Sequence, residues 1–362
     1  MIPNKANRSS NFELLRIFTM LLIIMGHMNW QAFDHSQVNL AGALFMKLFG
    51  QGARIGVNLF LMTGVWFMCD SEFSSKRILK LYGALWFYSV PVTLLMVALG
   101  VSVSKTDLIS AFFPYLRRRM WFVPLYITLL LFSPFLKWAI DNMSEVIHRK
   151  LVILGFFLIC FICSTTVFMD KYLDSLMWFI YVYFAVSYYK RYLYEKISKK
   201  NAYLSTGIAI YLVLIVSSYI CSNLTSTIFI YANKAITQYI VDYKSLPNVL
   251  CSICIFIYFS KLDIGSNKYI NCISRNTLDV YMIHQSDTFY NFLWLNICRT
   301  HDWQGSDHFI VLFITVTILV YTGASIIGTL RTRLIEPIWC RCRLFTYLTG
   351  KLNNIYEFDR YS

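Results

Sequence analysis

Charge is in short supply in this chain. Charged residues make up 14% of its 362 positions, against roughly a quarter in soluble domains, and mean hydropathy is +0.53. That excludes a soluble protein of this size and points to an all-α polytopic membrane helix bundle. Carboxylates are scarcest, 19 against 33 Lys and Arg. In a membrane protein that excess follows from cytoplasmic loops retaining cations, so no nucleic-acid partner is expected. Soluble catalytic motifs are missing too. The chain has no Walker loop, no His-Glu-x-x-His and no Gly-x-Ser-x-Gly. No internal repeat is visible, and no long hydrophilic stretch suggests a fused soluble domain. The ten Cys lie mostly inside apolar runs, which argues against a disulfide framework. Cys160-x-x-Cys163 and Cys251-x-x-Cys254 have metal-like spacing, but both fall in expected spans and read as packing residues. No metal centre is therefore expected. Cys340 and Cys342, in a basic segment, are candidate lipidation sites.

What is abundant is apolar sequence, in ten runs. They cover residues 14–30, 54–68, 78–99, 121–140, 151–168, 173–189, 203–221, 246–259, 277–297 and 309–330. An amphipathic piece at 41–49 precedes the second. The first run carries a charge and lacks a small-residue cleavage site, so it reads as a retained helix rather than a signal peptide. A membrane domain over 1–345 and a short cytoplasmic tail over 346–362 are expected.

The loops orient the bundle. With a cytoplasmic N-terminus, 22 Lys and Arg fall inside and 10 outside. The positive-inside rule then places both termini in the cytoplasm, with about ten crossings. Arg117-Arg118-Arg119 falls outside, against the trend. It reads either as a site for something anionic or as part of a re-entrant loop.

Ionisable residues inside apolar runs are costly, and they mark candidate chemistry. The first run contains Glu13, Arg16 and His27. Arg16 and His27 are eleven positions apart, roughly 20° past three full helical turns, so they share one face. Their axial separation is ~16 Å at ~1.5 Å per residue. The cytoplasmic N-terminus puts Glu13 and Arg16, neighbours at i, i+3, near the inner surface and His27 toward the outer side. Desolvation would keep a buried imidazole neutral and fit for general-base work. The structural alternative is a snorkelling Arg and a helix-bonding His. Asp34, seven residues after His27, stays near that face if the helix continues.

Further along, Gly52 and Gly56 form a small-xxx-small pair. Asn58 and Thr63 add polar groups, read mainly as packing. Arg77 and Lys80 sit at i, i+3 on the membrane boundary, either as a stop-transfer flank or as an anchor for a phosphate-bearing cosubstrate. In the ninth run Arg275 and Asp279 can pair at i, i+4. Tyr281, His284 and Thr288 form a polar stripe there, with Asp287 close by. Glu336 precedes Pro337 at an expected helix stop and is placed to pair with Arg77 or Arg16.

At these residues the chain resembles the membrane acyltransferase-3 family, whose members O-acylate surface polysaccharides and other exported molecules. Arg16-x10-His27 is similar to the family's first-helix motif, and Val57 to Phe67 to its Phe-rich segment, with Thr63-Gly64 in place of Ser-Gly. Ile273 to His284 resembles the penultimate-helix signature, and Arg333-Leu334-Ile335-Glu336-Pro337 the terminal Glu-x-Pro ending. Trp121 to Leu125 resembles the start of a middle helix. The family's second Arg at the inner boundary is Lys80 here, which keeps the charge but not the bidentate fork.

The resemblance implies a cell-membrane enzyme, in a bacterial cytoplasmic membrane, that takes an acetyl group from cytoplasmic acetyl-CoA to a glycan hydroxyl. Acyl-CoA is then a cosubstrate, with no permanently bound cofactor, and membrane lipid and a glycan acceptor are the partners. It further implies Arg16, Arg77 and Lys80 as holders of the CoA phosphates. His27, with Arg16 and Glu13, is the catalytic set, His27 acting as base or as acyl carrier. Asn58, Tyr281 and His284 are candidate oxyanion donors. A homo-oligomer is compatible with the chain. The competing readings are a glycan exporter or flippase, disfavoured by the lack of repeats or broken helices, and a glycan polymerase, disfavoured by modest outer loops.

Overall fold

The computed structural model describes residues 9–116, 120–163, 171–223 and 242–356. Arg117–Arg119 and residues 224–241 lie outside that description. The described residues are helical, without strands.

The first helix, α1 (Ser10–Gln31), is unbroken through both Arg16 and His27, so the ~16 Å rise between them stands. Its start is tied to the far end of the sequence. The Ser10 amide donates to the Gly265 carbonyl at 2.9 Å, and the Asn11 side chain donates to the Phe259 carbonyl at 2.9 Å. Gly265 adopts φ +61°, which glycine reaches without steric cost. The helix does not continue to Asp34. That residue instead caps the turn His35–Gln37 and lies off the expected stripe. Hydrogen bonds from the Ser36 hydroxyl and amide hold its carboxyl below the usual range.

The expected pieces at 41–49 and 54–68 are one helix, α2 (Leu40–Met68), capped by Asn39. Gly50 and Gly52 would each weaken an isolated helix by about 1 kcal/mol. Packing overrides that cost, because α2 lies along α1 at close range. A Cβ at Gly50 would sit 2.2 Å from Asn29 Nδ2, and one at Gly52 2.9 Å from Leu22. On α1, a Cβ at Gly26 would sit 2.2 Å from the Ala53 Cβ. Gly26→Val therefore forces the two helices apart. A loss of about 1–3 kcal/mol is expected from such overpacking. It would be read as a lower melting temperature in detergent, and an unchanged melt would refute the close crossing.

The bundle continues with α3 (Ser75–Ala98), α4 (Lys105–Ala111), α5 (Phe122–Asp141), α6 (Glu145–Phe156), α7 (Lys171–Tyr188), α8 (Lys200–Asn223), α9 (Leu246–Ser260) and α10 (Lys268–Ile273). The ninth run is not one span. It forms α11 (Thr277–His284), breaks, and resumes as short turns at Tyr290–Phe292 and Leu293–Ile297. Gln285, Ser286, Asp287 and Thr288 follow His284 directly. Such side chains compete for backbone groups and favour turns. The break is fastened on both sides. Ser286 Oγ donates to the Tyr88 carbonyl at 3.1 Å, Thr288 bonds Thr93 at 3.1 Å, and Gln285 donates to Gln31 at 3.3 Å. Thr288 thus leaves the stripe of Tyr281 and His284, and the chain does contain a broken helix.

The tenth run is α12 (Phe309–Leu330), which passes through a π-helical turn, Arg331–Ile335, into α13 (Glu336–Arg341). Pro337 does not stop it. Proline sits in the first turn of α13, where its missing N–H costs nothing. Last comes α14 (Arg343–Tyr356), which contains the expected start of the tail at 346. It docks on the bundle. Ser75 donates to Asn353 at 2.6 Å, Tyr356 donates to the Leu131 carbonyl at 2.9 Å, and its ring stacks on Phe73.

Among the described residues, five helical stretches are long and apolar enough to cross a bilayer: Ser10–Gln31, Ser75–Ala98, Phe122–Asp141, Lys200–Ile220 and Phe309–Arg341. Their burial is inverted relative to a soluble protein. Val213 and Leu319 are 64% and 63% exposed, while Asn58, His284, Ser252 and Thr317 are fully buried. Apolar atoms face outward and polar ones pair within, which suits lipid as the solvent. This is an all-α membrane protein.

Candidate active site

The centre of the bundle is built from α1, α2, α5 and α11. His27, near the end of α1, meets His284, the last residue of α11: Nδ1 of His27 lies 2.9 Å from Nε2 of His284. His284 Nδ1 lies 2.6 Å from the Val280 carbonyl. A carbonyl can only accept, so His284 Nδ1 carries its proton and its Nε2 is a lone pair. His27 Nδ1–H must then donate to it. The chain of bonds leaves His27 Nε2 with a lone pair and no proton, the tautomer of a base or nucleophile. His284 is fully buried in this arrangement.

Around the pair stand Trp30, its ring centroid 6.2 Å from that of His27, and Tyr281, at 6.4 Å. Arg54 stacks its guanidinium on Trp30, 4.0 Å from the ring centroid, and is an electrostatic neighbour of His27. The Arg54 Nε–H is buried and has no hydrogen-bond partner. A cation with a spare donor beside a buried imidazole is a feature the sequence reading missed. Arg54 there is a flanking residue at the start of a span. Once 41–49 and 54–68 merge into α2, it lies inside the helix.

Toward the other end of α1, Glu13 is buried and accepts from the Ser274 hydroxyl, and it pairs with Arg16 at 3.6 Å. Arg16 in turn lies over the Phe60 ring, 5.7 Å from its centroid. Arg77 is exposed and donates to the Tyr126 hydroxyl at 3.2 Å. Aromatic contacts run from there to His27. Tyr126 stacks on Phe122, Phe60 packs edge-on to Phe122, and Phe122 meets Tyr281 with ring centroids 6.0 Å apart. The cations at one end and the imidazole in the middle are thus linked by one aromatic wall.

Other expected site residues lie elsewhere. The Asn58 side chain donates to the Tyr243 carbonyl at 2.7 Å and accepts from Trp178 at 3.2 Å, tying α2 to α7 and to the segment before α9. Glu336 meets neither Arg77 nor Arg16. It pairs with Lys80 at 2.9 Å and Arg331 at 3.4 Å. Asp279 does not pair with Arg275, which is exposed on a 3-10 turn where α-helical i, i+4 register is lost. It pairs with Arg331 at 2.7 Å and accepts from the Tyr88 hydroxyl at 2.8 Å. Lys80, Glu336, Arg331, Asp279 and Tyr88 therefore form one chain that locks α11 to α3 and α12. A lone Asp within a span demands a cation. The signal for Arg331 was present in the sequence, but local spacing named the wrong partner.

The family model described as an acyltransferase domain, that of the acyltransferase-3 family, matches residues 9–328. The chain belongs to the acyltransferase-3 family. Arg16, His27, Arg77 and His284 fall inside the match, whereas Arg331 and Glu336 fall beyond it. No curated protein and no solved structure matches the chain.

Proposed function

We propose that this membrane acyltransferase moves an acetyl group from cytoplasmic acetyl-CoA to a hydroxyl of a cell-surface or exported polysaccharide. It would do so in the cell membrane, with both termini cytoplasmic and about ten crossings. The observation that carries the reading is the His27–His284 pair, which presents a proton-free His27 Nε2 inside the bundle.

Arg77 and Arg16 hold the CoA phosphates at the inner surface, and the pantetheine arm runs along the wall of Phe60, Phe122 and Tyr281. CoA is anionic and stays on its side, while its thioester tip reaches the imidazole. His27 Nε2 takes the proton of the acceptor hydroxyl as that oxygen attacks the thioester carbonyl. The new C–O bond forms, and the oxyanion is stabilised by the Arg54 Nε–H. Collapse breaks the C–S bond, and the CoA thiolate leaves with the proton from His27. The same lone pair would also serve an acyl-imidazole route, in which His27 Nε2 attacks the thioester first. Acid quench of a single turnover separates the two by showing whether label stays on the protein.

The break after His284 gives the exporter reading one supporting feature, since transporters build sites at interrupted helices. Purified protein in liposomes with labelled acetyl-CoA decides between them. Acyl transfer to glycan supports the enzyme; glycan translocation without acylation refutes it.

Donor binding has its own test. Arg77→Ala removes a charged phosphate contact of about 1.5–3 kcal/mol, so KM for acetyl-CoA should rise roughly tenfold to a hundredfold. Lys80→Arg keeps the charge and the Glu336 pair and should stay within a few-fold of wild type. Equal tolerance of Arg77→Ala and Lys80→Arg would remove this boundary from the donor site.

A further inference from the structure

The outward apolar wall of α12 does not stop where that helix ends. Ile326, Leu330, Leu334 and Ile338 recur at every fourth position through the π-helical turn into α13, and each is more than half exposed. A stripe of this kind faces acyl chains rather than water. Arg341 follows Ile338 by three, so it stands one turn beyond the last apolar residue of the stripe, near the same face. There the chain turns, through an extended Cys342 with φ −64° and ψ 139°. The corner is pinned to α3. Trp339 donates to the Leu79 carbonyl at 2.9 Å, and a Cβ at Gly83 would lie 2.6 Å from the Trp339 Nε1. α14 is thereby kept against the bundle, with Phe345 and Thr349 buried.

A second face of α14 is apolar and cationic together. Leu344, Tyr347, Lys351 and Ile355, spaced i, i+3, i+7 and i+11, share it, and all four are exposed. Beside that face runs an open groove of about 560 Å³, whose lining includes Arg341, Arg343, Tyr347, Gly350 and Lys351 and no carboxylate. The Lys351 ammonium lies 5.7 Å from the centroid of the Tyr347 ring. Gly350 leaves the groove floor bare, since a Cβ there would meet nothing within 4 Å. From Pro337 to Ser362 four cations stand against two carboxylates, Glu357 and Asp359, so the segment is net positive. Guanidinium forks match phosphate oxygens in pairs, and a Lys on an apolar face reaches from acyl chains to headgroups. We infer that α14 is an interfacial helix, and that Arg341, Arg343 and Lys351 form a site for the phosphate of an anionic phospholipid headgroup. A free phosphate would use the cations alone. The exposed Leu344, Tyr347 and Ile355, and the continuity with the α12 stripe, favour a phosphate that carries acyl chains. This site lies beyond the acyl chemistry proposed above and does not depend on it.

Native mass spectrometry of the full chain in detergent tests this, with the first bound lipid counted as dioleoylphosphatidylglycerol or dioleoylphosphatidylcholine is added. The anionic lipid should bind about fivefold more tightly or better, because one cation near a membrane surface supplies roughly that factor. Arg341→Gln and Arg343→Gln should each weaken it about fivefold and leave the zwitterionic lipid unaffected. Gly350→Glu puts a carboxylate into the groove without a clash and should weaken it at least as much, while Gly350→Gln, equal in size, should match wild type. Arg149→Gln with Lys150→Gln, which removes exposed cations from α6, should also match wild type. Millimolar adenosine 3′,5′-bisphosphate should not displace the lipid. Equal binding of the two lipids to wild type would overturn the inference, as would wild-type binding in Arg341→Gln or Gly350→Glu. So would an equal loss in the α6 variant, which would mean a general surface-charge effect. Displacement by the bisphosphate would overturn it in favour of a nucleotide-phosphate site.

Discussion

His27→Ala is expected to abolish acyl transfer while the protein still inserts and melts as wild type does. A positioned general base contributes about 10²–10⁴-fold to rate, and more is lost if the same nitrogen carries the acyl group. The effect should fall on kcat, because the cations assigned to CoA lie ~16 Å away along α1. KM for acetyl-CoA should hardly move. His284→Ala should show a smaller loss. It leaves a base in place but removes the acceptor that holds His27 Nδ1–H, so the productive tautomer is no longer enforced. His284→Phe keeps the volume without the acceptor and should match His284→Ala in rate, with a better melt. Full activity in His27→Ala would end the mechanism. Equal losses in both His variants would mean that the pair works as one unit rather than as base and positioning residue.

The second large effect concerns the ion chain behind α11. Arg331→Met should cost about 3–5 kcal/mol, the usual penalty for stranding a buried charge. Arg331 and Asp279 are 9% and 10% exposed, and the Asp279 carboxylate would keep only the Tyr88 hydroxyl. The loss should appear as a lower melting temperature, together with reduced activity, because α11 carries His284. Pairing the change with Asp279→Leu should recover most of the stability, since two well-packed apolar residues often equal a buried pair. Recovery in the double variant separates a stranded charge from a simple cavity. A wild-type melt for Arg331→Met would show that the pair holds nothing.

The membrane character of this chain was legible from its composition, because lipid imposes one rule on every helix. The register of Arg16 and His27 was legible for a similar reason: it needs only a helix that stays helical, and α1 does. The family was legible from Arg16-x10-His27 and the segments that follow in order. Tertiary structure decided everything that required a partner distant in sequence. His27 and His284 are 257 positions apart, and no local period relates them. Asp279 reached Arg331 across 52 positions instead of Arg275 across four, because a 3-10 turn spoiled the near pairing. Gly50 and Gly52 weakened α2 on paper, yet α1 needed their missing side chains. The break after His284 arose where polar side chains found donors and acceptors on α1 and α3. Periodicity reports which face a residue occupies; only packing decides what that face meets.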